Sequence, residues 1–252
     1  MKQITKIACV LCLSAATLPS FAQNKKTSKK SPQASELAPL QNLHLSVYRN
    51  ALQLSDYGSA IVALNYYLVA NPNQLPYKDT LALLYLQTNQ SVQAYTIVKQ
   101  LQQEGRKSDM LTEILALSAN ALNQKTEATD AYQALYANTK NIQHGYALLQ
   151  LQQQLKRVNE ALFTCNMLLA DTAINQATIA IADEKTKQEK AIALKAILYN
   201  IKGLLAYENK EYDVSIASFK ESLSIAPDYS VASQNLKTIS AIKESMEKIK
   251  TE

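Results

Sequence analysis

Glycine and proline are scarce in this chain, which has four glycines and six prolines among 252 residues. All-β folds and dinucleotide-binding α/β folds use many more glycines in their turns. No glycine lies within twenty residues of another, so the chain has no glycine-rich loop that could cradle a phosphate. The shortage of both residues argues against these folds and favours helices.

Residues that commonly build reactive or metal sites are equally scarce. There are two histidines, His44 and His144, a hundred residues apart and without neighbouring cysteines. A zinc site needs three or four convergent ligands, and a nucleophilic triad needs a suitably placed histidine. The sequence therefore implies no metal, cofactor or catalytic residue and predicts a protein that is not an enzyme. His144 is expected to lie at the start of a helix.

The first 22 residues resemble an export signal. Lys2 and Lys6 precede an apolar run over residues 7–16, and Ser20 and Ala22 fit a signal-peptidase site after Ala22. The run is far shorter than the roughly 20 residues that a spanning helix needs, which favours cleavage over a retained anchor. Lipidation is rejected because the residues around the two leader cysteines do not match such a signal. We expect an exported protein located in the periplasm, with secretion or association with the outer membrane as the alternatives.

Residues 23–40 are expected to form a flexible tether. Four lysines and two serines occupy its first half, and such a segment buries too little apolar surface to offset its ordering entropy. A solvated spacer is the simpler interpretation, with peripheral contact to an anionic membrane face as the alternative. Leader and tether together account for the whole net charge of +5. The remaining residues are neutral, which argues against a nucleic-acid partner.

From Leu43 onward apolar residues recur at three and four positions, and no stretch shows the sustained alternation of a half-buried strand. The sequence therefore predicts an all-α chain. Cys165, the one cysteine outside the leader, lies in an apolar helical run. It is interpreted as a buried small hydrophobe rather than a reactive thiol.

The clearest unit spans residues 199–227. Tyr199 and Gly203 lie in its first helix, Phe219 lies in its second, and Pro227 follows the end of the second. This spacing resembles the tetratricopeptide repeat (TPR), a 34-residue helix–turn–helix unit. Departures from the pattern occur at Lys202, Ala206 and Ser215. A small residue at Gly203 lets the two helices approach, and Phe219 fills the gap that they share.

Upstream copies of this unit are weaker but keep its period. The small residue of each second helix recurs at Ala60, Ala94, Ala128, Ala161 and Ser215. Successive spacings are 34, 34, 33 and 54 residues. The resemblance covers residues 41–229 and implies a right-handed α–α superhelix of about five helix pairs.

Two segments depart from the repeat. The last spacing is too long because of an insertion near residues 171–190, whose polar part is helix-prone. Either the first helix of the last unit begins early, or a loop and an extra turn protrude. Residues 230–252 carry one apolar stripe, which predicts a capping helix; a partner-binding amphipathic helix is the alternative.

In the family that the chain resembles, the first helix of each pair lines a concave groove that grips peptides or protein surfaces. The resemblance therefore implies a set of candidate partner-binding positions. They are Arg49, Asp79, Glu113, Asn120, Gln150, Gln153, Asn200 and Tyr207. Mixed charges and amides suit a polar backbone, while the family's clamp for a terminal carboxylate is not matched, since Leu204 stands where a second amide would follow Asn200.

The resulting hypothesis is a non-enzymatic scaffold or adaptor of the bacterial cell envelope that binds a peptide or protein in its groove. The alternative is an accessory protein that binds an envelope polysaccharide or another polymer. Fourteen tyrosines and no tryptophan leave this alternative open, although packing between repeats explains most tyrosines at helical spacing.

Overall fold

Helices dominate the computed structural model, which describes residues 32–182 and 189–251. Within these ranges there are eleven α-helices, one short 3₁₀ helix (Thr172–Gln176) and two strands, β1 (Thr178–Ala182) and β2 (Glu189–Ala193). The first eight helices are α1 (Pro32–Gln53), α2 (Tyr57–Ala70), α3 (Leu75–Gln87), α4 (Ser91–Gln103), α5 (Asp109–Ala121), α6 (Lys125–Thr139), α7 (Ile142–Gln154) and α8 (Val158–Ala170). The last three, after the strands, are α9 (Leu194–Glu208), α10 (Tyr212–Ile225) and α11 (Ser230–Thr251).

The chain divides into two compact units, Met1–Leu40 and Gln41–Glu252. Of the first unit, the structure describes residues 32–40, which form the start of α1. Helix α1 thus begins inside the segment expected to be a flexible tether. Pro32 suits a first helical turn because its fixed φ is already helical and its missing N–H has no partner to lose there. The expected leader, residues 1–22, and residues 23–31 of the tether lie outside the described residues.

In the second unit the helices pack in chain order as five successive pairs, from α1/α2 to α9/α10, followed by α11. From α2 onward each helix contacts the next one along the chain, and Tyr48 and Ala51 of α1 share a hydrophobic cluster with residues of α2. This arrangement confirms the predicted all-α superhelical repeat with a helix at its C-terminal end. Helix α10 ends at Ile225, two residues before Pro227, as the repeat pattern predicts.

The small residues predicted to recur in the second helices form the centre of each pair. All five are completely buried: Ala60, Ala94, Ala128, Ala161 and Ser215. The residue four positions later is also buried in every pair: Leu64, Val98, Tyr132, Cys165 and Phe219. Positions four apart lie on one helix face, so each second helix presents a small and then a larger side chain to the core. The repeat period read from the sequence is therefore a packing period.

Gly203 lies at a close contact between α9 and α10. A Cβ placed there would lie 2.6 Å from Cε1 of Phe219. The Ser215 hydroxyl also donates a hydrogen bond to the Gly203 carbonyl, over 2.7 Å. The predicted role of Gly203 and Phe219 in helix packing is confirmed.

The turns inside the helix pairs share one backbone conformation, which the low glycine content did not lead us to expect. A non-glycine residue with positive φ follows the first helix of every pair: Ser55, Asn89, Asn123, Lys156 and Lys210. The next residue donates its N–H back to a carbonyl five positions earlier, as from Arg157 to Gln152 over 2.9 Å. This left-handed turn ends a helix and reverses the chain, and it usually uses glycine. The chain makes these turns without glycine, which explains why its glycine content is low.

The insertion corrects the expectation that no strand is present. Strands β1 and β2 pair antiparallel, with Ile179 opposite Ile192, and the 3₁₀ helix precedes them. The early start of the last unit's first helix is not observed, since α9 begins at Leu194 and both Glu189 and Lys190 lie in a strand. Ile179 and Ile181 alternate with smaller residues over 178–182, and this pattern favours a strand once a partner strand is available. Residues 183–188 of the helix-prone stretch lie outside the described residues.

This hairpin is anchored to the helices by two buried isoleucines. Ile174 of the 3₁₀ helix and Ile192 of β2 both belong to the main hydrophobic core. The Leu194 N–H donates to the Ala177 carbonyl over 2.8 Å, which joins the start of α9 to the residue before β1. The insertion is therefore packed on the repeat.

Helix α11 covers the last pair. Ala232 and Ile239 are buried, and α11 contacts both α10 and α9. Lys243 of α11 binds Asp213 at the start of α10 over 2.5 Å. These contacts place the apolar stripe of the C-terminal segment against the repeat, in the position that a cap requires.

Candidate protein-interaction surface

All eight candidate residues lie on the first helices of the pairs, α1, α3, α5, α7 and α9. Glu113 and Asn120 are seven positions apart on α5, as are Asn200 and Tyr207 on α9, so each pair lies on one side of its helix. We call the surface that these eight residues mark the first-helix face. The side chains on it fall into two groups, those bound within the protein and those accessible to a partner.

Asp79 belongs to the bound group. Its side chain accepts a hydrogen bond from the Arg106 guanidinium, which precedes α5, and the residue is only 7% exposed. The bond to the carboxylate raises the pKa of Arg106 above its ordinary value. The second oxygen, Oδ1, has no hydrogen-bond partner among the described residues. Asp79 therefore links α3 to the segment that precedes α5, and its carboxylate is already occupied by Arg106.

Asn200 is also bound within the protein. It is buried on α9, and its Oδ1 accepts a hydrogen bond from Nδ2 of Asn235 on α11 over 2.9 Å. The pair ties α11 to α9. A partner reaching this position would have to replace an existing amide–amide bond.

Glu113 of α5 contacts the next first helix, α7. Its Oε1 is 3.7 Å from Nε2 of His144, at the start of α7, while Nδ1 of His144 is 3.0 Å from the Thr139 hydroxyl. His144 opens its helix as predicted, three residues after the Asn141 cap. Glu113 is partly exposed. This contact places α5 and α7 side by side on the first-helix face.

The accessible group is largely uncharged. Arg49 and Asn120 are exposed, and Gln150, Gln153 and Tyr207 are half-buried. Gln150 hydrogen-bonds the Tyr146 hydroxyl on the same helix, while burial raises the pKa of Tyr146. The Tyr207 ring meets Tyr212 edge to face, with centroids 5.9 Å apart. Three amides and one phenol on a surface of modest exposure can exchange hydrogen bonds with a peptide backbone.

A second surface was not found from the sequence. It is a cleft of about 440 Å³ between α6 and α8, with α7 as its floor. Its lining includes Tyr136 from α6, Gln152 from α7, and Phe163 and Met167 from α8. The apolar run containing Phe163 and Met167 looks in the sequence like continuous core. Only the helix packing reveals that Phe163 is 67% exposed.

The described residues include no candidate metal site, and their one cysteine is buried. No group of three or more His, Cys, Asp or Glu side chains there could hold a metal ion. Cys165 is completely buried, and burial raises the pKa of its thiol to about 12. The interpretation of Cys165 as a core residue is confirmed. Among the helices described, none is both long and apolar enough to span a membrane.

Comparison with known proteins finds similarity in structure alone. No protein-family profile and no curated protein sequence matches the chain. Among solved structures, MamA superposes with a TM-score of 0.57 at 17% identity, over 77% of this chain and 95% of MamA. YrrB, described as a TPR protein with an unusual peptide-binding site, superposes with a TM-score of 0.60 at 12% identity, over 81% of this chain and 96% of YrrB.

A further similar structure is MamA from Desulfovibrio magneticus RS-1, with a TM-score of 0.54 at 8% identity, over 75% of this chain and 97% of that one. Identities this low carry the fold and nothing finer. The helix pairs of this chain and their period indicate the same repeat fold as these superpositions. The chain has the fold of the tetratricopeptide-repeat proteins.

Proposed function

We propose that this chain is a non-enzymatic protein-interaction scaffold whose first-helix face binds a peptide or a protein segment. The observation that carries the proposal is the row of five first helices that presents Asn120, Gln150, Gln153 and Tyr207 as accessible hydrogen-bonding groups. Extended peptides expose unpaired N–H and C=O groups, which neutral amides match without the desolvation cost of a charge. The peptide-binding site printed for YrrB, a protein of the same fold, supports this choice of ligand.

The proposed location is the bacterial cell envelope, most simply the periplasm. Support comes from the sequence, where the charged and apolar regions of residues 1–22 end in a fitting cleavage site. The mature protein would then begin at Gln23. N-terminal sequencing of protein from a fractionated bacterial host tests this, and an intact Met1 in the cytoplasmic fraction would refute it.

Site-specific photo-crosslinking in cells tests the binding surface. A photoreactive amino acid replaces Asn120 or Gln153, both accessible on the first-helix face, and crosslinked products are identified by mass spectrometry. A matched control carries the same group at Lys220, which is exposed on α10. We expect one or a few defined envelope proteins to be crosslinked from Asn120 and Gln153 and none of these from Lys220.

Two results would contradict the proposal. Identical products from Lys220 would show that contact does not involve the first-helix face. Recovery of an envelope polysaccharide, with binding lost in Tyr207→Ala, would favour the polymer-binding alternative. The edge-to-face contact of Tyr207 with Tyr212 gives that tyrosine a packing role already, so the variant's fold is checked by circular dichroism.

A further inference from the structure

The cleft between α6 and α8 has the geometry of a second binding site. Its walls come from the second helices of two neighbouring pairs, and its floor is the side of α7 that carries Leu148 and Gln152. The volume, about 440 Å³, lies within the range of small-ligand sites. Along each wall the lining residues cover about two helical turns, Gln133 to Lys140 and Asn159 to Met167.

Gln152 is the one side chain of this floor with an unmet hydrogen-bonding need. The residue is 3% exposed, and its Oε1 has no hydrogen-bond partner within the described ranges. A buried amide oxygen without a hydrogen-bond partner destabilises the folded state, and selection normally removes such a group unless it has a use. Half a turn about the last side-chain torsion exchanges oxygen and nitrogen, so this amide can present an acceptor or a donor to a ligand.

Apolar surface surrounds this amide. Phe163 and Met167 are 67% and 41% exposed and stand one turn apart on α8. Leu148 on the floor is buried, and Tyr136 faces them from α6. A single large apolar side chain held among these groups would remove exposed apolar area from water on both partners.

Charge and length restrict the ligand further. The charged residues of the lining are Lys140 and Glu160, of opposite sign, and Glu160 already pairs with Arg157 at 3.7 Å. Helices α6 and α8 run the same way, since each is antiparallel to α7 between them, so the two charges lie at opposite ends. The lining has no net charge to attract a charged ligand. Two helical turns extend about 10 Å, the length of about three extended residues.

We propose that the α6–α8 cleft binds an uncharged, extended peptide segment of about three residues. One large apolar side chain of the segment lies against Phe163 and Met167, and a backbone amide group hydrogen-bonds Gln152. This site is separate from the first-helix face, because Gln152 lies on the side of α7 that packs between α6 and α8. Its occupation does not depend on a ligand in the first-helix face.

Solution NMR of the full chain tests the site with defined probes. The first probe is the capped tripeptide acetyl-Ser-Leu-Ser-amide, and two others replace leucine with glutamate or lysine. We expect the leucine peptide to give saturable shifts of the Met167 methyl and Gln152 side-chain amide signals. Free leucine is the fourth probe. The two charged peptides lack the apolar side chain and free leucine lacks the capped backbone, so all three should bind at least about tenfold more weakly.

Variants separate binding from folding. Gln152→Leu keeps the volume and removes the unpaired amide, so it should stay folded, melt at a higher temperature and lose about tenfold or more in affinity. Met167→Ser should weaken binding without loss of fold, since Met167 is already partly exposed. Gln154→Leu, an exposed position at the end of α7, is the matched control and should bind within about twofold of the parent.

The proposal is overturned by shifts that do not saturate, by equal binding of the charged peptides or free leucine, or by unchanged affinity in Gln152→Leu. None of these results bears on the first-helix face, whose crosslinks from Asn120 and Gln153 would be unaffected.

Discussion

At the scale of single residues, the fold depends on where small side chains are placed. Five buried Ala or Ser residues and two glycines, Gly145 and Gly203, set how closely neighbouring helices approach. At each of the two glycines, an added Cβ would lie less than 3.0 Å from a side-chain carbon. Because interiors are packed to crystal-like density, there is no free volume nearby to absorb the extra atom.

Gly203→Ala is expected to destabilise the protein by about 2 kcal/mol, because the new methyl group overlaps the Phe219 ring. The higher helix propensity of alanine contributes about 1 kcal/mol in the opposite direction, which offsets only part of the cost of this overlap. Urea unfolding monitored by circular dichroism measures the change. In the double variant Gly203→Ala/Phe219→Leu the ring is replaced by a smaller side chain, which should restore part of the lost free energy of unfolding. Equal or greater stability of the single variant would show that α9 and α10 are not held at this distance.

Cys165 makes stability depend on pH in the alkaline range. Burial raises the pKa of its thiol from 9.0 to about 12, so between these pH values the thiol ionises in the unfolded chain but not in the folded protein. The thiol's contribution is complete below pH 9 and is lost as pH rises toward 12. We expect the free energy of unfolding to fall by about 1 kcal/mol more between pH 8 and pH 10 in the parent than in Cys165→Ala. Identical pH slopes in the two proteins would contradict this.

At the scale of elements, neighbouring pairs are joined by polar contacts as well as by the core. The Tyr95 hydroxyl and the Lys99 ammonium on α4 donate to the two oxygens of Glu127 on α6, over 2.6 and 2.7 Å. These bonds to Glu127 raise the pKa of both Tyr95 and Lys99. Turns with positive φ then fix how each pair folds back on itself. The helices therefore follow one another in a defined register.

Lys156→Gly tests the energetic cost of those turns. Lys156 has a φ of 56°, a conformation that is unfavourable for a residue with a Cβ. Glycine relieves this strain at some entropic cost, so we expect a gain of about 0.5–1 kcal/mol in the free energy of unfolding. Lys220→Gly, the same exchange inside α10, should instead cost about 0.5–1 kcal/mol. Matching losses in both variants would exclude strain at the turn.

At the scale of the whole repeat, stability passes from each pair to its neighbour. The second unit has its main core across α3 to α11 and a smaller cluster around α1 to α3. In such an array an end without a cap exposes surface intended for a neighbour. Helix α11 supplies that cover through Ala232, Ile239 and the Asn235–Asn200 bond.

Truncation after Tyr229 is expected to destabilise the C-terminal pair by about 3 kcal/mol or more, since buried side chains on α9 and α10 become exposed. Hydrogen exchange of amides in α9 and α10 measures the effect locally, and the melting temperature reports it globally. Ile249→Ser is the control because Ile249 is 75% exposed and should change stability by no more than about 0.5 kcal/mol. Unchanged protection of α9 in the truncated chain would show that α11 is not a cap.

The sequence by itself determined the repeat, because helix packing needs a small residue at the same place in every pair. Ala60 to Ser215 reveal that need as a period, and scarce glycine points to helices. The hairpin was not predictable, since a five-residue strand such as β1 is stabilised by partner residues in β2 that lie seven to fifteen positions away.

Tertiary structure alone decided which polar residues are available. Asp79 and Asn200 look like accessible groove residues in the sequence, yet Arg106 and Asn235 bind them. Gln152, two positions from the candidate Gln150, is buried with an unpaired oxygen, and Phe163 is exposed in a run that resembles core. Periodicity shows which side of a helix a residue occupies, whereas exposure depends on what the neighbouring pair places against that side.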